Sequence, residues 1–141
     1  MVKMKPVLEK IAEEYIAAED YVAALELLDR YIKDDESVAQ AYFFRGGCHM
    51  KLRRFPPAIE DFRAAIELDD RMHEARLLLG ICMNVSGDKD WETEIETALA
   101  ACPDLKDEYE RIMDATAYDH TEYLRRYAME WAGSGVIGRL P

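Results

Sequence analysis

The sequence is poor in the residues that interrupt helices, with only 7 glycines and 5 prolines among 141 residues. This scarcity argues against a low-complexity or disordered chain. The sequence also contains no apolar run of the roughly 18 residues that a membrane-spanning helix needs. Its N-terminus has no apolar segment of the kind that forms a secretory signal. We therefore expect a cytoplasmic protein that neither binds nor crosses a membrane.

Positive charge is scarce as well. The 18 lysines and arginines are outnumbered by 29 aspartates and glutamates, which gives a formal net charge of −11. The phosphate groups of nucleic acids and of anionic lipids are bound by dense clusters of cationic side chains. The acidic balance therefore disfavours nucleic acids and membrane surfaces as partners.

The sequence has only three cysteines, an odd number with no Cys-x-x-Cys pair, so neither a disulfide framework nor a metal site is expected. Cys48 and Cys82 are expected to be small buried side chains. The adjacent Cys48 and His49 do not form a catalytic dyad, because neighbouring side chains on a helix point about 100° apart. The sequence lacks the common metal-binding and phosphate-binding motifs. We expect no catalytic residue, no cofactor and no enzymatic activity.

What the sequence does contain is a recurrence every 34 residues. Small residues stand at Ala12, Gly46 and Gly80, and apolar residues at helical spacing surround each of them. A fixed period of this length is typical of a solenoid of stacked helix pairs, in which each unit buries its apolar face against its neighbours. We expect units over about 5–38, 39–72 and 73–105, one or two capping helices over about 104–132, and a flexible tail over 133–141.

The second unit shows the repeat pattern most fully. Its residues follow the order Tyr42-x2-Arg45-Gly46-x2-His49 and then Ala58-x3-Phe62. This pattern resembles the tetratricopeptide repeat, a 34-residue helix–turn–helix unit. The resemblance covers about residues 5–105 and implies an all-α fold, a right-handed solenoid of three repeats with a C-terminal capping helix or helix pair. Trp91 stands where a small residue is usual, and we expect it to open or shift the third helix pair.

In tetratricopeptide repeat proteins, the first helices of the units line a concave groove that holds a partner's peptide or helix. Carried over by position, the resemblance implies a partner-binding groove made of Glu9, Glu13, Gln40, Phe43, Phe44, Gly47, Met50, Lys51, Glu74, Leu77, Leu78, Ile81 and Val85. Some family members hold an acidic C-terminus in a carboxylate clamp built from cationic side chains. The clamp positions here are Glu9, Glu13, Phe44, Glu74 and Leu78. A carboxylate ligand would therefore be repelled.

The groove residues combine an apolar floor with acidic side chains at the first unit. They favour the binding of an apolar, basic-flanked peptide or helix from a protein partner, with the acids orienting the ligand. One alternative is a self-associating scaffold, in which the chain's own tail or a second copy in a homodimer occupies the groove. A further alternative is a role like that of the bacterial secretion chaperones built on three such repeats, which this chain resembles in length, acidity and apolar groove.

Overall fold

The computed structural model describes residues 6–107, 109 and 110. The helices in this part of the chain are α1 (Pro6–Ile11), which continues as a π-helical turn (Ala12–Ile16), α2 (Tyr21–Asp34), α3 (Ala39–Lys51), α4 (Phe55–Leu68), α5 (His73–Ser86) and α6 (Trp91–Ala101). Another helical stretch begins at Leu105. The described residues contain no strand, so the all-α prediction is confirmed. Most of the predicted capping segment over 104–132, and all of the predicted tail over 133–141, lie outside the described residues.

The helices pack in chain order. The most extensive contacts join α3 to α4 and α5 to α6, and the contacts of α2 with α3 and of α4 with α5 link successive pairs. The buried apolar residues form one continuous core that runs from Leu8 to Leu105. This arrangement is that of a solenoid, in which each pair is stabilised by its neighbours rather than by a separate core.

The paired helices approach most closely at the two glycines of the 34-residue period. An atom added as Cβ at Gly46 would lie 2.9 Å from Phe62 Cε1, and one at Gly80 would lie 2.6 Å from Ile95 Cγ1 and 3.0 Å from the Trp91 carbonyl oxygen. Side chains larger than hydrogen therefore have no room at these crossings. Trp91 does not open the third pair, because the half-buried Trp91 begins α6 while its backbone remains in close contact with α5. A shift of the pair stays a prediction.

Helix ends follow the sequence signals in part. The Asp20 carboxylate accepts a hydrogen bond from the Ala23 backbone N–H at 3.3 Å and caps α2, as acidic N-cap residues commonly do. Gly87 ends α5 with a φ of 83°, a left-handed conformation that favours glycine. Ser37 lies just before α3 and is of the residue type that caps helices, but it does not cap α3, because its hydroxyl is hydrogen-bonded to Asp35.

A polar cluster lies between the first and second helix pairs. Arg45 donates to both carboxylate oxygens of Asp61, at 2.9 and 2.8 Å, and to Asp29 of α2 at 3.1 Å. Burial raises the pKa of Asp61 above its ordinary value, although the Arg45 guanidinium opposes this shift. His49 Nε2 lies 3.8 Å from Asp61, and its Nδ1 has no hydrogen-bond partner among the described residues. Arg45 thus stands where the 34-residue register places the apolar residues Ile11 and Leu79 in the other units. It is accommodated there by bridging two successive units.

We predict that Gly80→Ala destabilises the fold more than Gly46→Ala. Alanine gains about 1 kcal/mol of helix propensity over glycine, whereas overpacking a close contact costs about 1–3 kcal/mol. At Gly80 the added methyl group meets a backbone carbonyl, which cannot rotate away, while at Gly46 it meets the edge of the Phe62 ring. Urea unfolding followed by circular dichroism should give a net loss of about 1–2 kcal/mol for Gly80→Ala. The loss for Gly46→Ala should be smaller, below about 1 kcal/mol, because the Phe62 ring must shift but no backbone atom must. A Gly80→Ala protein as stable as the parent would refute the close packing.

We also predict that His49 makes stability depend on pH. Burial is the main cause that lowers the pKa of His49 below its ordinary value of 6.5, so the unfolded chain binds this proton at a higher pH than the folded chain. The contribution is complete above about pH 6.5 and is lost as the pH falls through the lower pKa of the folded state. The free energy of unfolding, measured between pH 7.5 and pH 5.5 in buffers of constant salt, should therefore fall less steeply in His49→Gln than in the parent. His73→Gln, which removes an imidazole from the start of α5 instead, is the matched control. Equal slopes in the parent and His49→Gln would contradict the assignment.

Candidate partner-binding groove

The predicted binding residues lie on α1, α3 and α5, the first helices of the three pairs. Gly46 faces α4, and at about 100° per residue the residues on the opposite side of α3 can be assigned directly. The same assignment holds for α5, in which Gly80 faces α6. We name as the groove face the residues that lie about 100–160° round each helix from its glycine, which are Gln40, Phe44, Gly47 and Lys51 of α3 and Glu74, Leu78, Ile81 and Val85 of α5. The predicted residues Phe43, Met50 and Leu77 lie at its edge.

The apolar residues of the groove face are shielded from solvent in this structure. Phe44 and Leu78 are 0 % exposed and Ile81 is 3 % exposed, while Val85 is half-buried. The edge residues Phe43, Met50 and Leu77 are buried as well. The predicted groove residues of the first unit, Glu9 and Glu13, are by contrast exposed. The predicted residues therefore fall into an exposed acidic part and a covered apolar part.

The described helices explain the burial of the edge better than that of the groove face. The Phe43 ring lies 6.0 Å from the Phe62 ring of α4 and 6.0 Å from the Phe44 ring, measured between centroids. Among the described helices, α3 packs mainly against α2 and α4, and α5 packs mainly against α4 and α6. The groove face points away from α4 and α6, so these contacts leave it on the opposite side of the helix layer.

The polar residues of the groove give it an acidic character. Gln40 and Glu74 are buried. The Lys51 ammonium lies 5.4 Å above the centroid of the Tyr21 ring, a cation–π contact that draws this cation toward α2. Burial, together with the Glu19 carboxylate, raises the pKa of Tyr21 to about 12, so this phenol stays neutral. Carboxylates therefore lie beside the apolar residues at two places, Glu9 and Glu13 in the first unit and Glu74 in the third.

Burial suppresses the ionisation of two core thiols. Burial raises the pKa of Cys48 to about 12 and that of Cys82 further, so neither thiol supplies the thiolate that a nucleophile requires. His49 faces Asp61 of the polar cluster. Within residues 6–107, 109 and 110, no group of three or more His, Cys, Asp or Glu side chains could hold a metal ion. None of the helices in that part of the chain combines the length and apolar character needed to cross a bilayer.

A second concave feature lies at the first helix pair and is absent from the predicted site. It is a pocket of about 570 Å³ lined by Val7, Lys10, Ile11, Tyr15, Leu27, Arg30, Tyr31, Asp34 and Asp35. Three of these residues, Ile11, Tyr15 and Leu27, stand 34 positions before the residues of the polar cluster, which are Arg45, His49 and Asp61. In the second unit this cluster is covered by α2, whose Asp29 contacts Arg45. The pocket is therefore the position that a preceding helix fills in the second unit. The register of the repeat is the signal by which sequence reasoning could have found it.

Comparisons with known proteins agree with this architecture. Two solved structures of MamA superpose on the chain with a TM-score of 0.68 each. The first shares 23 % sequence identity and covers 89 % of this chain and 77 % of its own, and the second shares 22 % and covers 94 % and 76 %. At this level of identity the likeness shows the fold alone.

Sequence comparisons identify the family. The protein SGT1 homolog of Oryza sativa subsp. japonica is 34 % identical over 95 residues, which is 67 % of this chain but only 24 % of that protein. This chain therefore spans about a quarter of the relative's length. The sequence model of the tetratricopeptide repeat matches residues 10–71 and, in a second overlapping match, residues 49–104. The chain belongs to the tetratricopeptide repeat family, whose fold serves as a scaffold for protein–protein interactions.

Proposed function

We propose that this protein is a non-catalytic interaction module whose groove face binds an apolar, basic-flanked peptide or helix of a partner protein. The observation that carries the proposal is the contiguous apolar surface formed by Phe44, Leu78 and Ile81 on neighbouring first helices, with acidic residues at both ends. Such a surface matches a ligand that is apolar in its middle and cationic at its flanks.

The physical basis of this binding is burial of apolar area on a preformed surface. Full burial of a phenylalanine or leucine side chain contributes about 1.5–3 kcal/mol, and aromatic side chains such as Phe44 add specific packing geometry. Gly47 has no side chain and lets a ligand backbone come close to α3. The exposed carboxylates Glu9 and Glu13 would act on the approach and orientation of a cationic segment more than on affinity.

A groove-bound second copy, forming a homodimer, would use the same surface. The described groove face is buried within a single chain, so its burial does not require a second copy. A role like that of a secretion chaperone would likewise use this surface with an apolar ligand. We favour the partner segment because two features together specify its chemistry. These are the apolar residues of the groove face and the exposed carboxylates Glu9 and Glu13, which we call the acidic rim.

We predict that peptides selected on this protein are apolar with Lys or Arg at their flanks. The experiment is display selection from a random 16-residue library, followed by affinity measurement on variants. Val85→Glu places a charge at the half-buried end of the groove face and should weaken the selected peptides at least about 10-fold. Val22→Glu, at an exposed position of α2, is the matched control and should leave binding unchanged. Acidic or purely polar selected peptides, or equal binding to Val85→Glu and the parent, would refute the proposal.

The acidic rim gives a separate prediction. Glu9→Gln/Glu13→Gln removes two exposed charges, so it should lower the association rate at low salt and weaken its dependence on ionic strength. Glu26→Gln/Glu60→Gln changes the same number of exposed acids on α2 and α4 and serves as the control. Stopped-flow binding of a selected peptide at several salt concentrations measures both effects. Identical salt dependence in the two double variants would contradict a role for the rim.

A further inference from the structure

The solvent exposure of equivalent positions differs sharply between the first unit and the two later units. Positions related by 34 residues occupy the same place on successive first helices. The set 10, 44 and 78 is exposed in the first unit and fully buried in the second and third. A similar contrast holds for 13, 47 and 81 and for 6, 40 and 74, in which the first member is exposed and the two later members are buried. Because even the polar members Gln40 and Glu74 are buried, the cause is a covering over the second and third units rather than the apolarity of their side chains.

The rest of the chain supplies a suitable covering. The helical stretch that begins at Leu105 packs against the core, with Leu105 buried and Tyr109 half-buried. The chain beyond residue 110 therefore starts beside the third unit. Residues 111–132, the part expected to be helical, would span about 33 Å, whereas neighbouring packed helices are only about 8–10 Å apart. A segment of this length is long enough to cross α5 and then α3.

The sequence of this segment has the apolar residues that the groove face requires. Apolar residues recur at helical spacing at Tyr123, Leu124, Tyr127, Ala128 and Trp131. The adjacent cations Arg125 and Arg126 interrupt this stripe. Residues 118–132 also carry Asp119, Glu122 and Glu130, so the segment shares the apolar stripe of the proposed ligand but not its basic flanks. Its tether to the third unit gives it a high local concentration at the groove face.

We infer that the C-terminal segment, residues 111–141, occupies the groove face of α3 and α5 in the free protein and competes with an external partner. The inference rests on the proposed function, because it names residues 111–141 as an internal ligand of the same groove face. A partner must displace the segment, so its apparent affinity is reduced by the fraction of molecules whose groove is open. The exposed acids of the first unit stay available to make the first contact with a cationic partner.

The test uses a synthetic peptide of this chain's residues 118–132 added to the 141-residue chain. Leu124→Glu/Tyr127→Glu weakens the tethered segment without altering the groove, so the labelled parental peptide should bind this variant at least about 10-fold more tightly than the parent. Met129→Glu is the matched control, because it adds a charge on the helix face opposite the apolar stripe. This variant should bind the labelled peptide as weakly as the parent does. Adding Val85→Glu to the double variant should abolish the gain. Equal, weak binding to the double variant and the parent would overturn the inference.

A cross-linking experiment remains decisive if the double variant does not fold. The photoreactive residue p-benzoylphenylalanine is placed at position 85 of the otherwise unchanged chain, because this position is half-buried at the end of the groove face. The inference predicts a monomer-sized product in which residue 85 is joined to residues 111–141. A dimer-sized product, or a monomer cross-linked only to residues before 111, would overturn it. If library-selected peptides still bind the groove in that case, the proposed function stands and only the identity of the internal ligand is wrong.

Discussion

The close approach of α3 to α4 and of α5 to α6 is the constraint on which the other features depend. At Gly46 and Gly80 the facing helix comes so near that a single methyl group has no free space. This contact fixes the rotation of each first helix about its own axis, because only the glycine side of the helix can face its partner. The groove face, about 100–160° round from the glycine, is thereby held in the same orientation in both pairs. The groove face is the geometric consequence of two small residues spaced by one repeat.

The polar cluster shows how a departure from the repeat pattern is accommodated. Arg45 replaces an apolar residue, and it is tolerated because Asp61 supplies a two-point hydrogen-bonded partner while Asp29 supplies a third contact from the preceding unit. Charge-assisted, bidentate pairs of this kind are among the stronger hydrogen bonds in proteins. Removing either partner of a buried ion pair destabilises the fold, because the remaining charge is left buried and unpaired. The junction between the first two pairs is therefore fixed in position by geometry as well as by apolar packing.

Most of the fold could be predicted from the sequence, because the 34-residue period records packing between neighbours. Gly46, Gly80 and Asp20 occupy the places and roles that their sequence context indicates. Features that depend on contacts between distant residues could not be derived in this way. The partner of Arg45 stands 16 positions away and was not identified, and Ser37 has a local hydrogen-bonding alternative to capping. The groove residues were placed by family register alone, which assigns positions on a helix but not what covers them. The burial of Phe44 and Leu78 depends on what covers them, so it could not be predicted from the repeat register.

The account rests on the groove face being covered in the free protein, and hydroxyl-radical footprinting tests this most directly. Leu78 of the groove face is 0 % exposed and Leu68 at the end of α4 is 46 % exposed, so two residues of the same intrinsic reactivity can be compared within one molecule. The account predicts that Leu78 is oxidised far more slowly than Leu68 in the monomeric 141-residue chain. It also predicts that Leu78 approaches the rate of Leu68 in Leu124→Glu/Tyr127→Glu. Equal oxidation of the two leucines in the unmodified protein would show an open groove and would contradict the account.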